Sequence, residues 1–120
     1  MESAMNIKQF DIWIADLNPG KGTVPGKIRP VVVVQANGLN KVGHPSTIIC
    51  PFTSDMTIES KLLRINIYPN TTNGLEKDSA VLVDQIRAID NLKMIKQLGS
   101  LEEKYHHQLK DSIIKVLDLN

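Results

Sequence analysis

The chain has 120 residues, of which 42% are hydrophobic and 22% charged, with a formal net charge of +1 at pH 7. This length allows one domain with one modest core, and the near-neutral balance excludes a protein that coats nucleic acid by its total charge. The single cysteine excludes an intrachain disulfide, and no apolar run approaches the roughly 18 residues of a membrane-spanning helix. We therefore expect a single domain over residues 1–120, in a reducing cytoplasm, with 1–6 as a leader or expression remnant and Met1 or Met5 as the native start.

The first half of the chain alternates glycine-containing loops with short apolar runs. Within Phe10–Leu17, the residues Phe10, Ile12 and Ile14 are apolar at every second position, which is typical of a strand. The loop Gly20–Lys27 holds three glycines, which excludes a helix. Val31–Val34 and Thr47–Phe52 are too short for helices and predict buried strands. Ala36–Pro45, between them, is predicted to be a polar loop.

The second half begins with two further predicted strands, Leu62–Ile67 and Ser79–Ile86, separated by the turn Pro69–Gly74. A helical turn at Asn91–Met94 and a brief strand at Ile95–Leu98 follow. Five or more short strands predict a mostly β, α+β fold, a small antiparallel barrel or strongly curved sheet with helices attached.

The last twenty residues change period. Ser100 and Glu103 have the spacing of a capping box, which predicts the start of a helix. Apolar residues then recur every four positions and form one helical face: Leu101, Tyr105, Leu109, Ile113 and Leu117.

One segment, Leu17–Ser54, carries an unbalanced charge. It holds four cations and no Asp or Glu: Lys21, Lys27, Arg29 and Lys41. Because net charge is small, polyanion binding has to come from such local clustering. The segment therefore predicts a surface for a phosphate backbone, to which His44, in the same segment, can add a titratable group.

Three positions carry candidate chemistry. Arg29 follows the glycine loop and precedes Pro30, and a following proline favours an extended backbone at Arg29. The guanidinium of Arg29 offers planar donors to phosphate oxygens. Thr53 and Ser54 place two hydroxyls where a strand ends, although Ser and Thr often only bond their own turn. Each of these residues also has a purely structural interpretation.

Asp84 and Gln85 are predicted to lie inside an apolar strand, where an acid needs a partner or an open face. Asp84 is thus either a general base or the partner of an arginine. Trp13 and Phe52 can stack bases, but core packing is the better interpretation. Cys50, in an apolar run, is predicted to be buried and inert. No Cys/His cluster has metal-ligand spacing, so we predict no metal and no cofactor.

Together these groups suit RNA cleavage by internal transesterification, in which the ribose 2′-hydroxyl attacks its own phosphate. Such an enzyme must deprotonate that hydroxyl, stabilise charge on phosphorus and protonate the leaving 5′-oxygen.

The strings FDIWIADLNPGKG, GKIRPVVVVQ, TIICPFTS and GLEKDSAVLVDQIRAID, in this order, resemble the MazF/PemK (Kid-like) toxins of bacterial toxin–antitoxin systems. The resemblance runs from about Phe10 to Leu119. It implies an SH3-like antiparallel barrel of the MazF/PemK/CcdB type with a C-terminal helix, forming a homodimer. It also implies a metal-independent, sequence-selective endoribonuclease (an mRNA interferase) that leaves a 2′,3′-cyclic phosphate and a 5′-hydroxyl on single-stranded RNA. Its inhibitor would be a cognate antitoxin with an acidic tail, complementary to the acid-free segment.

Site roles carry over from the resemblance at matching positions. In G-x-x-R-P, Arg29 stabilises the phosphorane and donates a proton. In P-x-T-S, Thr53 orients or activates the 2′-hydroxyl, with Ser54 beside it. Asp84 and Gln85 match a D/E-Q pair that binds RNA or assists catalysis, so the general base is Thr53 or Asp84. Many members carry Glu-Gln where this chain has Val24-Pro25, which leaves any role of a loop carboxylate open.

Two other functions compete with the ribonuclease. A toxin of the CcdB type shares the fold but poisons DNA gyrase without catalysis, and it does not need Arg29 and Thr53 together. A non-toxic SH3-like module would instead rely on an aromatic groove for peptides.

Overall fold

A computed structural model describes residues 6–23, 26–56 and 64–119, which form a seven-stranded antiparallel sheet and a C-terminal helix. The strands, in chain order, are β1 Asp11–Asp16, β2 Ile28–Val33, β3 Ser46–Thr53, β4 Arg64–Ile67, β5 Ser79–Leu82, β6 Arg87–Asp90 and β7 Met94–Ser100. Their order in the sheet is β4-β5-β3-β2-β1-β7, and β6 also pairs with β3. The predicted fold class, mostly β with a C-terminal helix, is confirmed.

The central strands separate two apolar cores, as expected for strands whose successive side chains point to opposite faces. Trp13, Val31 and Ile49 lie in one core. Ile12 and Val32 lie in the other, which is closed by the helix α2, His106–Leu117, through its buried Leu109. The described part of the chain holds no helix that is both long and apolar enough to cross a membrane.

The register of β2 and β3 positions the ends of these two strands. Val31 lies opposite Pro51 and Val33 opposite Ile49. Arg29 precedes Val31 by two residues and Thr53 follows Pro51 by two, so both lie just beyond the paired part of β2 and β3, at the same end.

The predicted loop Ala36–Pro45 is partly wrong, because Asn37–Lys41 form one short helix, α1. The side chain of Asn40 donates to Asn37 Oδ1 at 3.1 Å and to the carbonyl of Gln35 at 3.2 Å. The helix buries no residue. A single turn held by polar side chains leaves no apolar periodicity for sequence analysis to detect.

The single strand predicted over Ser79–Ile86 is also wrong. A 3₁₀ turn at Val83–Gln85 divides it into β5 and β6. Both strands pair with β3, but three positions along β3, from Phe52 to Ile49, correspond to six positions in the partner, from Val81 to Arg87. The turn takes up the three extra residues, so Asp84 and Gln85 do not lie in a strand.

The predicted capping box is wrong, because Ser100 is the last residue of β7 and a 3₁₀ turn at Glu103–Tyr105 precedes α2. Neither helical segment has a side-chain cap. The apolar face is confirmed except at its last position, since Leu117 is 47% exposed.

The remaining predicted elements differ from the observed ones mainly in their boundaries. The helical turn is confirmed at Asn91–Lys93, and β7 is longer than the brief strand predicted there. The predicted leader, the start of strand Leu62–Ile67 and the dipeptide Val24-Pro25 lie partly or wholly outside the described residues.

Candidate active site

A cleft with a volume of about 800 Å³ opens at the end of β2 and β3. Its apolar lining comes from the core that α2 closes and from the strands and loops beside it: Ile14, Ile28, Pro30, Phe52, Leu75 and Leu98. Its charged lining has more cations than acids: Lys27, Arg29, Lys77 and Lys96 against Asp55 and Glu76. Arg29, Thr53 and Ser54 all line this one cleft, so the structure brings these three predicted site residues together.

Arg29 is anchored by two backbone carbonyls. Its Nε donates to Gly26 O at 2.8 Å, and its Nη1 donates to Phe52 O at 3.1 Å. Burial lowers the pKa of Arg29 from its ordinary value. The guanidinium is still charged in the resting protein, and its remaining N–H donors can bind the oxygens of a ligand.

Lys27 closes the hairpin between β1 and β2. Its carbonyl accepts from Leu17 N at 2.9 Å, and its N–H donates to Asn18 Oδ1 at 2.7 Å. Its backbone is left-handed, with a φ of 69°, which is uncommon outside glycine and is concentrated at functional sites. The hairpin therefore holds Lys27 at the cleft in a conformation that favours glycine.

Thr53 is half-buried at the end of β3, and its Oγ1 accepts a hydrogen bond from Asp55 N at 3.1 Å. This is the local turn that sequence analysis weighed against a functional role. The bond uses an acceptor site of the hydroxyl and leaves its hydrogen able to donate. Both interpretations of Thr53 are therefore compatible with its geometry.

The structure does not bring Lys41 and His44 to the cleft within one chain. Both residues precede β3, whereas Thr53 ends it, and a strand of this length spans roughly 23 Å. His44 Nδ1 lies 2.9 Å from the carbonyl of Ser46. Lys21 is exposed on the β1–β2 hairpin and does not line the cleft. RNA binding by these three residues stays a prediction.

Asp84 and Gln85 also lie outside the cleft lining. Asp84 is exposed, and its charge acts on Cys50 in β3. Burial first, and then this charge, raise the pKa of the Cys50 thiol to about 12. The interpretation of Cys50 as a buried core residue is confirmed. The role of Asp84 as a base stays a prediction that the geometry of one chain does not favour.

Sequence analysis missed four charged residues of the cleft: Asp55, Glu76, Lys77 and Lys96. All four lie beyond Ser54 and therefore outside the acid-free segment, from which the cationic surface was predicted. Strand pairing was the signal for Lys96, because Lys96 and Pro30 both lie opposite Ile14. That pairing follows from tertiary structure rather than from local pattern.

The two large aromatic side chains serve the core. Trp13 and Phe52 are buried, at 7% and 1% exposure, and Trp13 Nε1 donates to Asp11 Oδ2 at 3.2 Å. The core interpretation is thus confirmed for both. Within the described ranges, no three His, Cys, Asp or Glu side chains are grouped as a metal ion would require.

Comparisons with known proteins agree with this fold. A sequence profile of the family described as PemK-like, MazF-like toxin of type II toxin–antitoxin system matches residues 8–117. The chain is 30% identical to an endoribonuclease MazF of Staphylococcus epidermidis over 114 residues, 95% of this chain and 93% of that protein. A solved structure of MazF from Deinococcus radiodurans superposes with a TM-score of 0.80 at 18% identity, covering 95% of this chain and 98% of that one. A MazE–MazF structure from the same organism superposes with a TM-score of 0.75 at 18% identity, covering 97% of this chain and 99% of that one.

Proposed function

The chain belongs to the PemK-like, MazF-like toxins of type II toxin–antitoxin systems, and on that premise we propose that it is a metal-independent endoribonuclease that cuts single-stranded RNA. One observation carries the proposal. A guanidinium held by two carbonyls and the hydroxyl of Thr53 line the same cationic cleft. Oriented donors of this kind stabilise charge that develops in a transition state.

The reaction proposed is an internal transesterification. The ribose 2′-oxygen forms a bond to phosphorus, and the bond between phosphorus and the 5′-oxygen breaks. The 2′-proton leaves to a base and the 5′-oxygen receives a proton, so the products are a 2′,3′-cyclic phosphate and a 5′-hydroxyl. The nucleophile is part of the substrate, so the enzyme has to supply only proton transfer and charge stabilisation.

Arg29 takes two roles in this scheme. Its free N–H donors bind the non-bridging oxygens, which carry extra negative charge in the phosphorane. Its pKa is lowered by burial, a direction that makes the guanidinium a stronger acid for the leaving 5′-oxygen. The two hydrogen bonds to backbone carbonyls fix the orientation in which the guanidinium performs both roles.

Thr53 orients the 2′-hydroxyl, and Ser54 supplies a second hydroxyl beside it. The candidates for the general base are Thr53 and Asp84, and the cleft supports Thr53 because Asp84 does not line it. We place Gln85, Lys21, Lys41 and His44 in RNA binding at a distance from the scissile phosphate. The apolar lining gives bases a surface to pack against, and the cleaved sequence depends on which bases fit.

The partners follow from the family. MazE–MazF structures are known for a relative, and we propose that this chain is neutralised by a cognate antitoxin whose acidic tail enters the cationic cleft. We further propose a homodimer acting in the cytoplasm. Large exposed apolar side chains such as Ile28, Leu92 and Ile95, at 59%, 92% and 51%, supply surface for a partner copy.

The test is cleavage of a long mixed-sequence RNA by the purified full chain, with and without EDTA. We expect equal cleavage in both, products with 2′,3′-cyclic phosphate ends, and no cleavage of the same strand made with 2′-deoxyribose. The Arg29→Ala variant should fold and leave the RNA intact. A folded wild-type protein that leaves all RNA uncut, or that stalls DNA gyrase instead, would refute the ribonuclease.

A further inference from the structure

We propose that Lys77 and Lys96 form a second cationic wall of the cleft and bind RNA phosphates beside the scissile one. The inference rests on the ribonuclease function proposed above. The two lysines come from parts of the chain remote from Lys27 and Arg29, namely the segment before β5 and strand β7, yet all four cations line the same cleft.

Among the residues that the structure describes, neither Lys77 nor Lys96 forms an ion pair with another described residue. The cleft lining contains four cations and two acids. Surplus positive charge in a concave site is what a phosphate backbone recognises, since binding releases the counterions that both partners otherwise hold.

Both lysines stand on ordered backbone. Lys96 lies opposite Ile14 of β1, inside the sheet. The carbonyl of Lys77 accepts from Ser79 Oγ at 2.9 Å, and the buried Leu75 fixes the preceding residues in the core. Neither lysine therefore depends on a loop closing for its position.

The register separates this wall from the proposed catalytic groups. Pro30 lies opposite Ile14, and Ile14 lies opposite Lys96. Two strand spacings set the backbones of β2 and β7 about 10 Å apart. Lys96 thus suits a phosphate neighbouring the one that Arg29 contacts, and its role is to hold the strand rather than to assist the chemistry.

An acidic peptide could use the same charges, but the cleft favours RNA. Beside the four cations it presents two hydroxyls, of Thr53 and Ser54, and a planar guanidinium with free donors. Hydroxyls that accept and donate suit ribose and phosphate oxygens, whereas carboxylates need donors alone.

The experiment compares the double variant Lys77→Gln/Lys96→Gln with the matched control Lys8→Gln/Lys104→Gln, which removes the same charge outside the cleft. The probe is a fluorescein-labelled mixed-sequence RNA methylated at every 2′-hydroxyl, so it cannot be cut. Its dissociation constant is measured from 50 to 200 mM salt. Each phosphate contact in a single strand contributes about 0.7 to the slope of log K against log salt. We expect the double variant to lose about 1.4 from this slope, each single variant about half of that, and the control nothing.

Cleavage of unmodified RNA by the same proteins separates this inference from the function on which it rests. We expect KM to rise in the double variant while kcat changes less than twofold. A cleaving wild type whose double variant keeps the slope of the control would overturn the second wall and leave the ribonuclease intact. A double variant that binds RNA normally but no longer binds polyglutamate would assign the wall to an acidic peptide. A wild type that neither binds nor cuts RNA would overturn both.

Discussion

Replacing Arg29 by lysine separates the geometry of the guanidinium from its charge. Arginine makes two bonds to carbonyls, Nε to Gly26 O and Nη1 to Phe52 O, and still has N–H donors for a phosphate. A lysine ammonium keeps the charge but is a single point on a flexible chain, so it cannot hold both carbonyls and present an oriented pair of donors. Arg29→Lys therefore removes the orientation and keeps long-range attraction for RNA.

The expected loss follows from the number of oriented contacts. Removing one preorganised donor to a developing oxyanion costs about 2.7–4 kcal/mol, or about 100- to 1,000-fold in kcat. We expect Arg29→Lys to lose that factor in kcat with KM changed less than threefold, since the charge stays. Arg29→Ala should lose more and also raise KM. The two carbonyl bonds also contribute about 2–3 kcal/mol to folding, so each variant needs a check of its fold by circular dichroism at the assay temperature.

The assay is initial-rate cleavage of labelled mixed-sequence RNA, with Arg64→Lys as the matched control. Arg64 lies on β4 and does not line the cleft, so the same substitution there should leave kcat unchanged. A folded Arg29→Lys enzyme within threefold of wild type in kcat would show that charge alone suffices. In that case the carbonyl anchoring would have no part in catalysis.

Three further predictions concern single residues. Gly74→Ala should destabilise the fold by at least about 2 kcal/mol more than Gly43→Ala in urea unfolding. Both glycines have a φ near +70°, but a Cβ at Gly74 would meet Leu98 O at 2.3 Å and one at Gly43 would meet nothing within 4 Å. Equal losses of stability would contradict the packing argument. Burial and Asp84 raise the pKa of Cys50 to about 12 from its ordinary value of 9.0. Above about pH 9 the unfolded chain therefore loses a proton that the folded state keeps, so the free energy of unfolding should fall between about pH 9 and 12. Cys50→Ala should show a shallower fall, and a pH profile identical to that of the wild type would refute the assignment. Asp84→Asn should keep kcat within about threefold because Asp84 is outside the cleft lining; a loss of 100-fold or more would instead make Asp84 the base.

The strands of the first half could be predicted because the local sequence of each has a pattern typical of a strand. β1 alternates by the period of two, and β2 and β3 are β-branched or apolar runs bounded by glycine loops. The break at Val83–Gln85 could not be predicted. It arises because β5 and β6 pair with different halves of β3, a tertiary requirement that a run of strong β formers does not show.

The candidate site was predictable only where its residues adjoin a strand end. Arg29 and Thr53 follow from glycine, proline and hydroxyl signals in the sequence, and the pairing of β2 with β3 brings them to the same end of these strands. Lys77 and Lys96 carry no local signal, because a lysine on a strand or a loop is most often only solvated. The place of Lys96 in the cleft depends on the pairing of β7 with β1, and that of Lys77 on the segment before β5, neither of which sequence patterns alone determine.

The two carbonyl bonds of Arg29 also determine how a phosphate can approach. A ligand that took the Nε donor would have to displace Gly26 O, and Gly26 is held in the hairpin by a close fit, since a Cβ there would meet Gly20 N at 2.4 Å. Breaking that contact would leave a carbonyl without its charged donor, at a cost of about 1–3 kcal/mol. We therefore expect a phosphate to bind through the guanidinium donors that these two carbonyls leave free. On this hypothesis the close fit of Gly26 against Gly20 acts on the site through the guanidinium, because it fixes the carbonyl that holds Nε.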